Sequence, residues 1–337
     1  MSRDRRGRGL TPFDPAYAEK IGRPKRGAAR RLLSLALRLA FSAGLLWLLL
    51  RRLSPAELGA RLGGFDWRYL GLALSLLLFV TVLASIRWRK VCKFAQCRLE
   101  RLEAWRLLMI ANAFDQFVFN LSGDAYRVWQ LTQRSPSFTH AVTGAVLDRI
   151  VGVVGLITVI AIGLPFFTRI NNVGALALAP ALMALSGMAG LAALLLLPKL
   201  PLPALPFKDN ALLLSGAARE FFLRRPGNAI EALGAAVAVH LGAALVFATL
   251  GAGLGLALPI GWYLLVTPPA MMLSLLPISI GGWGVREGAV VVGLGLAGVG
   301  RADALLVSVL FGFCSALIGL LGGLVWLVGP PEPGAQA

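Results

Sequence analysis

Two short segments gather glycine, arginine and carboxylate in a chain that is otherwise mostly apolar: Asn120-Leu-Ser-Gly-Asp-Ala-Tyr-Arg127 and Ser279-Ile-Gly-Gly-Trp-Gly-Val-Arg-Glu287. A charged side chain at bilayer depth costs at least about 2.5–3.5 kcal/mol on insertion scales, so a chain that keeps several generally uses them. The chemistry these residues suit is anion binding. Ser122 is a good N-cap and Gly123 permits a tight start, so a half-helix beginning there sets Arg127 one turn in, beside free N–H groups. A helix N-terminus flanked by a guanidinium fork suits a phosphate. Gly281, Gly282 and Gly284 ahead of Arg286 repeat the arrangement in the second half of the chain.

Asp148 and Arg149 lie inside a further apolar run. Adjacent helical positions point in different directions, so each needs a partner elsewhere. The acids Asp115, Asp124, Asp148 and Glu287 nearly balance the bases Arg127, Arg149 and Arg286, as a polar network around a cavity requires. The expected substrate site is therefore Asp124, Arg127, Asp148, Arg149, Arg286 and Glu287 with Gly123, Gly282 and Gly284. Its arginines contact phosphate, and its carboxylates orient them or exchange protons. The alternative is that these charges only hold the molecule together, with Asp124 on Arg149 and Glu287 on a backbone or tyrosine partner. It weakens for the set, because buried ion pairs stabilise poorly beside apolar packing.

The remaining polar candidates carry less. His240, in the middle of an apolar run, suits a packed, hydrogen-bonded role better than a proton relay. His140 sits at a loop edge. Cys92, Cys97 and Cys314 are too few for a zinc site or a disulfide framework. No G-x-S-x-G, H-E-x-x-H, Walker A or dinucleotide motif occurs, and no cofactor or metal is expected.

The elements that must position these residues are membrane helices. The chain of 337 residues is 57% hydrophobic with mean hydropathy +0.75, and its apolar runs approach the roughly 20 residues that cross a bilayer. Six spans are expected, over residues 32–50, 69–86, 141–164, 174–197, 233–258 and 304–328, within one all-helical membrane domain. A basic tail (1–31) precedes it, and residues 329–337 form a short C-terminal tail. The first run reads as a retained anchor, since no small-residue cleavage site precedes Arg51 and Arg52. The net charge of +17 lies in loops flanking the spans, which fits the positive-inside rule and anionic headgroups and argues against nucleic acid. Gly152-x-x-Gly155, Gly187-x-x-Gly190 and Gly319-x-x-Gly322 are close-packing signals.

The tail has ten Lys or Arg, residues 87–106 have seven and residues 199–225 have five, which places all three on the cytoplasmic side. Residues 107–121 are then too short and polar to cross and form a re-entrant hairpin from the cytoplasm. Residues 263–280, interrupted by Pro268-Pro269 and Pro277, and the glycine-rich run 288–300 form a second hairpin from outside. Both termini are cytoplasmic. The loop between the first two spans, with Arg51, Arg52, Arg61 and Arg68, must lie outside despite four arginines. Each half (about 32–167 and 174–328) reads span, span, hairpin, span in opposite orientation, an inverted-topology repeat whose broken segments mark a transporter's midplane site.

Asn120 to Arg127, Ala141, Val146-Leu-Asp-Arg149, Arg87-Trp88 and Leu276-Pro-Ile-Ser-Ile-Gly-Gly-Trp-Gly-Val-Arg-Glu287 together resemble the lysylphosphatidylglycerol synthase transmembrane-region family, also called the flippase-like domain family. The resemblance runs from about residue 32 to 328. It implies lipid handling in a bacterial inner membrane, in a stand-alone member without the soluble synthase domain and so not an aminoacyl transferase. The expected function is binding and translocation of an anionic membrane lipid or polyisoprenoid-linked phosphate. A non-transporting accessory that presents lipid to a lipid or glycan biosynthetic enzyme is the alternative. A membrane-embedded transferase would need Asp124 or Glu287 as base.

Overall fold

A computed structural model describes residues 40, 43–45, 47–51, 54–117, 122–167, 178–200, 208–274 and 279–329. Among these, every regular element is helical. Among the described residues, five helices are long and apolar enough to cross a bilayer. They match the expected spans from residue 69 onward. The span expected at 32–50 lies mostly outside the described residues; 43–45 and 47–50 within it are helical.

Local chemistry sets the element starts. In α1 (Pro55–Gly63), Ser54 Oγ accepts the Glu57 N–H at 3.0 Å and Pro55 occupies the first turn, where its missing N–H is harmless. Asp66 accepts the Arg68 N–H at 3.0 Å at the head of α2 (Arg68–Phe94). Next come α3 (Arg101–Phe117) and α4 (Ser122–Thr132), then the long α5 (Phe138–Phe167) and α6 (Leu178–Leu196). The amphipathic α7 (Lys208–Arg219) runs through a π-helical turn, Glu220–Arg224, into α8 (Pro226–Gly253). The last three are α9 (Ile260–Ser274), α10 (Val285–Gly295) and α11 (Arg301–Leu327). Pro268 and Pro269 do not interrupt α9, contrary to the sequence expectation. Each proline frees a carbonyl one turn back, and such a helix survives in a membrane protein where neighbours shield or satisfy it.

Small residues bring the long helices together. A Cβ on Gly322 of α11 would lie 2.0 Å from the Met109 carbonyl oxygen of α3, and one on Gly155 of α5 would lie 2.5 Å from Ala236 Cβ of α8. Both glycines are therefore required by close approach, as their spacing suggested. Gly190, by contrast, faces open space. The largest core cluster joins α2, α8, α9, α10 and α11 around Phe247, Phe311 and Tyr263.

Polar contacts sort the helix ends onto two faces. On one, Arg134 beyond α4 pairs with Glu103 of α3 at 2.5 Å, and Arg106 Nη2 donates to the Gly329 carbonyl beyond α11 at 3.0 Å. Lys90 near the end of α2 pairs with Glu231 near the start of α8, and Arg219 of α7 donates to the Leu195 carbonyl of α6 at 2.9 Å. On the other, the Asp66 N–H donates to Gly253 O at 3.0 Å, and Arg61 of α1 pairs with Asp303 of α11 at 3.3 Å. Thus the start of α3 and the end of α4 meet through Glu103 and Arg134, while α9 follows α8 and α10 leads into α11.

Candidate functional site

The first constellation is built where α3 turns back into α4. A Cβ on Gly123 would lie 2.3 Å from the Ala111 carbonyl oxygen and 2.6 Å from Asp115 Oδ2, so only glycine lets α4 begin this close to α3. The helix begins at Ser122 as expected, the Ser122 hydroxyl donates to the Phe114 carbonyl at 2.6 Å, and the Gly123 N–H goes to the Asp115 carboxylate at 2.9 Å. A carboxylate reaching back from α3 is a stronger acceptor for that positive helix end than a hydroxyl.

From there a chain of alternating charge crosses three helices. Asp124 pairs with Arg127, one turn on, and accepts from Arg149 Nε of α5 at 2.6 Å. Arg127 Nη1 also donates to Asp148 of α5 at 3.1 Å, and its guanidinium lies 5.3 Å from the centre of the Trp88 ring. Asp148 is wholly buried and also receives Arg87 of α2 through two bonds, Nε at 2.9 Å and Nη2 at 3.1 Å. The order is Arg87, Asp148, Arg127, Asp124, Arg149. A bidentate guanidinium–carboxylate pair of this kind fixes both planes.

The second constellation sits at the head of α10. Gly281, Gly282 and Gly284 have φ of +57°, +76° and +85°, a run of left-handed backbone that other residues rarely adopt. The turn delivers Arg286 and Glu287 into the interior. Glu287 folds back so that one oxygen accepts the Gly284 N–H at 2.5 Å, while the other accepts Arg286 Nη2 at 2.5 Å and the Ser308 hydroxyl at 3.2 Å. The Arg286 guanidinium lies 5.0 Å from the Trp283 ring centre and 5.4 Å from that of Phe311. Its floor is Gly312, where a Cβ would lie 2.4 Å from Arg286 Nη2.

Two cavities connect the constellations. One of about 330 Å³ is lined by Arg87, Arg127 and Asp148, and a second of about 410 Å³ by Ser274, Gly281 and Arg286. Asn112, Asp115, Arg149 and His240 line both, so the two adjoin across those residues. His240 Nε2 donates a hydrogen bond to the Gly152 carbonyl at 3.0 Å, as a packed histidine does. Arg149, with 36% of its side chain exposed, is the most accessible arginine here; Arg127 and Arg286 show 7% and 4%.

A family model described as the lysylphosphatidylglycerol synthase TM region matches residues 35–323. The chain belongs to the lysylphosphatidylglycerol synthase transmembrane-region family. Membership and the five long apolar helices make it a multi-pass membrane protein. No curated protein matches the chain significantly.

The matched region contains every residue of both constellations. Asp124, Arg127, Asp148 and Arg149 converge in one network with Gly123 at its base, and Arg286 and Glu287 form another behind Gly282 and Gly284. Sequence reasoning left out three groups. Arg87 was noted as part of the resemblance but not as the main partner of Asp148, and its position at the end of an apolar run was the available signal. Ser308 and Gly312 on α11 gave none. All three cysteines are buried and outside any disulfide, and burial pushes the Cys97 thiol up to about 11. Among the described residues, no three His, Cys, Asp or Glu side chains gather as a metal site requires.

Proposed function

We propose that the protein binds an anionic lipid headgroup or lipid-linked phosphate in the adjoining central cavities and moves it between the leaflets of the bacterial inner membrane. The observation that carries this reading is that Arg149 and Arg286, from the two broken segments and their neighbours, open onto the same polar space. An entering phosphate competes with Asp124 for Arg149, the arginine most open to the cavity, and with Glu287 for Arg286. Each exchange keeps a charged partner on the guanidinium, so neither arginine is left buried and bare.

The architecture in this proposal is two re-entrant hairpins, α3–α4 and α9–α10, entering from opposite faces in an inverted repeat. The order of packing supports it. α3 lies along α11 as α9 lies along α5, α2 packs on α3 as α8 packs on α9, and α4 packs on α5 as α10 packs on α11. The helices α2 and α8, which an inverted repeat would exchange, pack on each other. The basic face is then cytoplasmic and holds both termini, by the positive-inside rule.

The test is lipid scrambling in proteoliposomes made with wild type, Arg149→Ala and Arg286→Ala. Wild type should scramble an anionic phospholipid, and each variant should lose at least about tenfold while remaining folded, a change of about 1.4 kcal/mol or more in barrier. No scrambling by wild type would leave the accessory role, and unchanged rates in both variants would remove the site.

A further inference from the structure

A cluster of cations lies away from the central cavities, on the outer side of α2. A cavity of about 700 Å³ is lined by Arg89, Lys93, Gln96, Arg98, Leu99 and Pro136. Its charged lining is three cations, with no carboxylate among them. Of the acids nearby, Glu103 pairs with Arg134, and Glu231 pairs with Lys90 while also facing Lys93; exposed Glu100 follows Leu99 in the chain. Arg89 Nε donates to the Leu99 carbonyl at 3.0 Å, which holds the guanidinium against the cavity wall. Gln96 has φ +60°, the one non-glycine left-handed residue among the described residues, and it bends the chain so that Arg98 returns toward α2. This is a left-handed helix ending, in which the Cys97 N–H closes onto the Cys92 carbonyl at 2.8 Å.

An apolar stripe leads into this cavity along α2. Leu72, Phe79, Val82 and Ile86 are the large exposed apolar residues of α2, and their spacing of three, four or seven continues directly into Arg89 and Lys93. Residues at these intervals share one face of a helix. Arg87 and the other α2 residues of the central cavity, Leu77, Val80, Thr81 and Ala84, occupy a different face. Leu72 to Ile86 rises about 21 Å at 1.5 Å per residue, the length of an extended acyl chain's path through much of the hydrocarbon layer. An apolar track that ends in a three-cation cavity is complementary to a lipid with its chain along the helix and its phosphate at the end.

We infer that this outer face of α2 is a binding site for an anionic phospholipid of the basic-side leaflet, with the headgroup phosphate held by Arg89, Lys93 and Arg98 and one acyl chain along Phe79, Val82 and Ile86. It is separate from the central cavities and stands whether or not those transport lipid. Two guanidinium groups and one ammonium suit a dianionic phosphate monoester better than a zwitterionic headgroup.

The test is photo-crosslinking of full-length protein in phosphatidylcholine nanodiscs with phosphatidic acid or phosphatidylcholine carrying a diazirine in the acyl chain. The phosphatidic acid probe should label the α2 peptide containing Phe79, Val82 and Ile86 at least fivefold more than the phosphatidylcholine probe. The double variant Lys93→Gln/Arg98→Gln, at two exposed positions, should remove that preference, and Arg98→Gln alone should reduce it if the double variant fails to fold. Inorganic pyrophosphate should compete. Equal labelling by both probes, or labelling unaffected by these substitutions, overturns the site. Protection of Arg98 by pyrophosphate without lipid labelling overturns the lipid as its occupant.

Discussion

At the scale of single residues, the site is defined as much by what is missing as by its charges. Gly312 of α11 forms the floor under Arg286, so a methyl group there meets Nη2 at 2.4 Å and the Trp283 ring at 2.6 Å. Gly312→Ala should displace the guanidinium from Glu287 and lower lipid scrambling at least about fivefold, with an over-packing penalty of about 1–3 kcal/mol in thermal unfolding. Gly288→Ala in α10, where nothing lies within 4 Å, should leave scrambling within about twofold of wild type and serves as the control. The arginines themselves were legible in the sequence because a charge in an apolar run stands out. Their partners were less so. Adjacent helical residues normally diverge, which correctly separated Asp148 from Arg149. Arg286 and Glu287 are adjacent and pair nonetheless, because Glu287 folds back over the first turn to take the Gly284 N–H and so crosses the Arg286 side chain.

At the scale of elements, Asp148 ties three helices, with Arg87 on α2, Arg127 on α4 and its own place on α5. Asp148→Asn leaves two guanidinium groups short of a charge in a buried setting, a loss of about 3–5 kcal/mol by analogy with other buried pairs broken on one side. The expected readout is a clear fall in the thermal midpoint of the detergent-solubilised protein. Lys90→Gln, which removes only a rim pair with Glu231, should shift the midpoint little, since exposed pairs contribute about 0–1 kcal/mol. The element boundaries were readable to within a few residues wherever hydropathy fell sharply, as at Arg68 and Arg301. The continuity of α9 through Pro268 and Pro269 was not, because the sequence shows the missing N–H groups and hides the packing around the freed carbonyls. Nor does hydropathy alone tell a short crossing helix from one that turns back. For α3 and α4, the pairing of Arg134 with Glu103 supports turning back, and those residues lie 31 apart in the chain.

At the scale of the whole molecule, these end-to-end contacts make a testable statement about sidedness. With α3–α4 turning back, Gln133, which is exposed after α4, lies on the same face as Arg98 before α3. With α9–α10 turning back, Arg301 at the start of α11 lies on the same face as Ala56 in α1, consistent with the pairing of Arg61 and Asp303. The three native cysteines are buried, so replacing them with alanine gives a background in which single cysteines report accessibility. Arg98→Cys and Gln133→Cys should react with an impermeant maleimide only from the cytoplasmic side, and Ala56→Cys and Arg301→Cys only from the other. If α3–α4 crossed as one unit, Gln133→Cys would change sides relative to Arg98→Cys. If α9–α10 crossed, Arg301→Cys would part from Ala56→Cys. Either result breaks the proposed inverted repeat, and with it the proposed approach of Arg149 and Arg286 to one cavity from opposite leaflets.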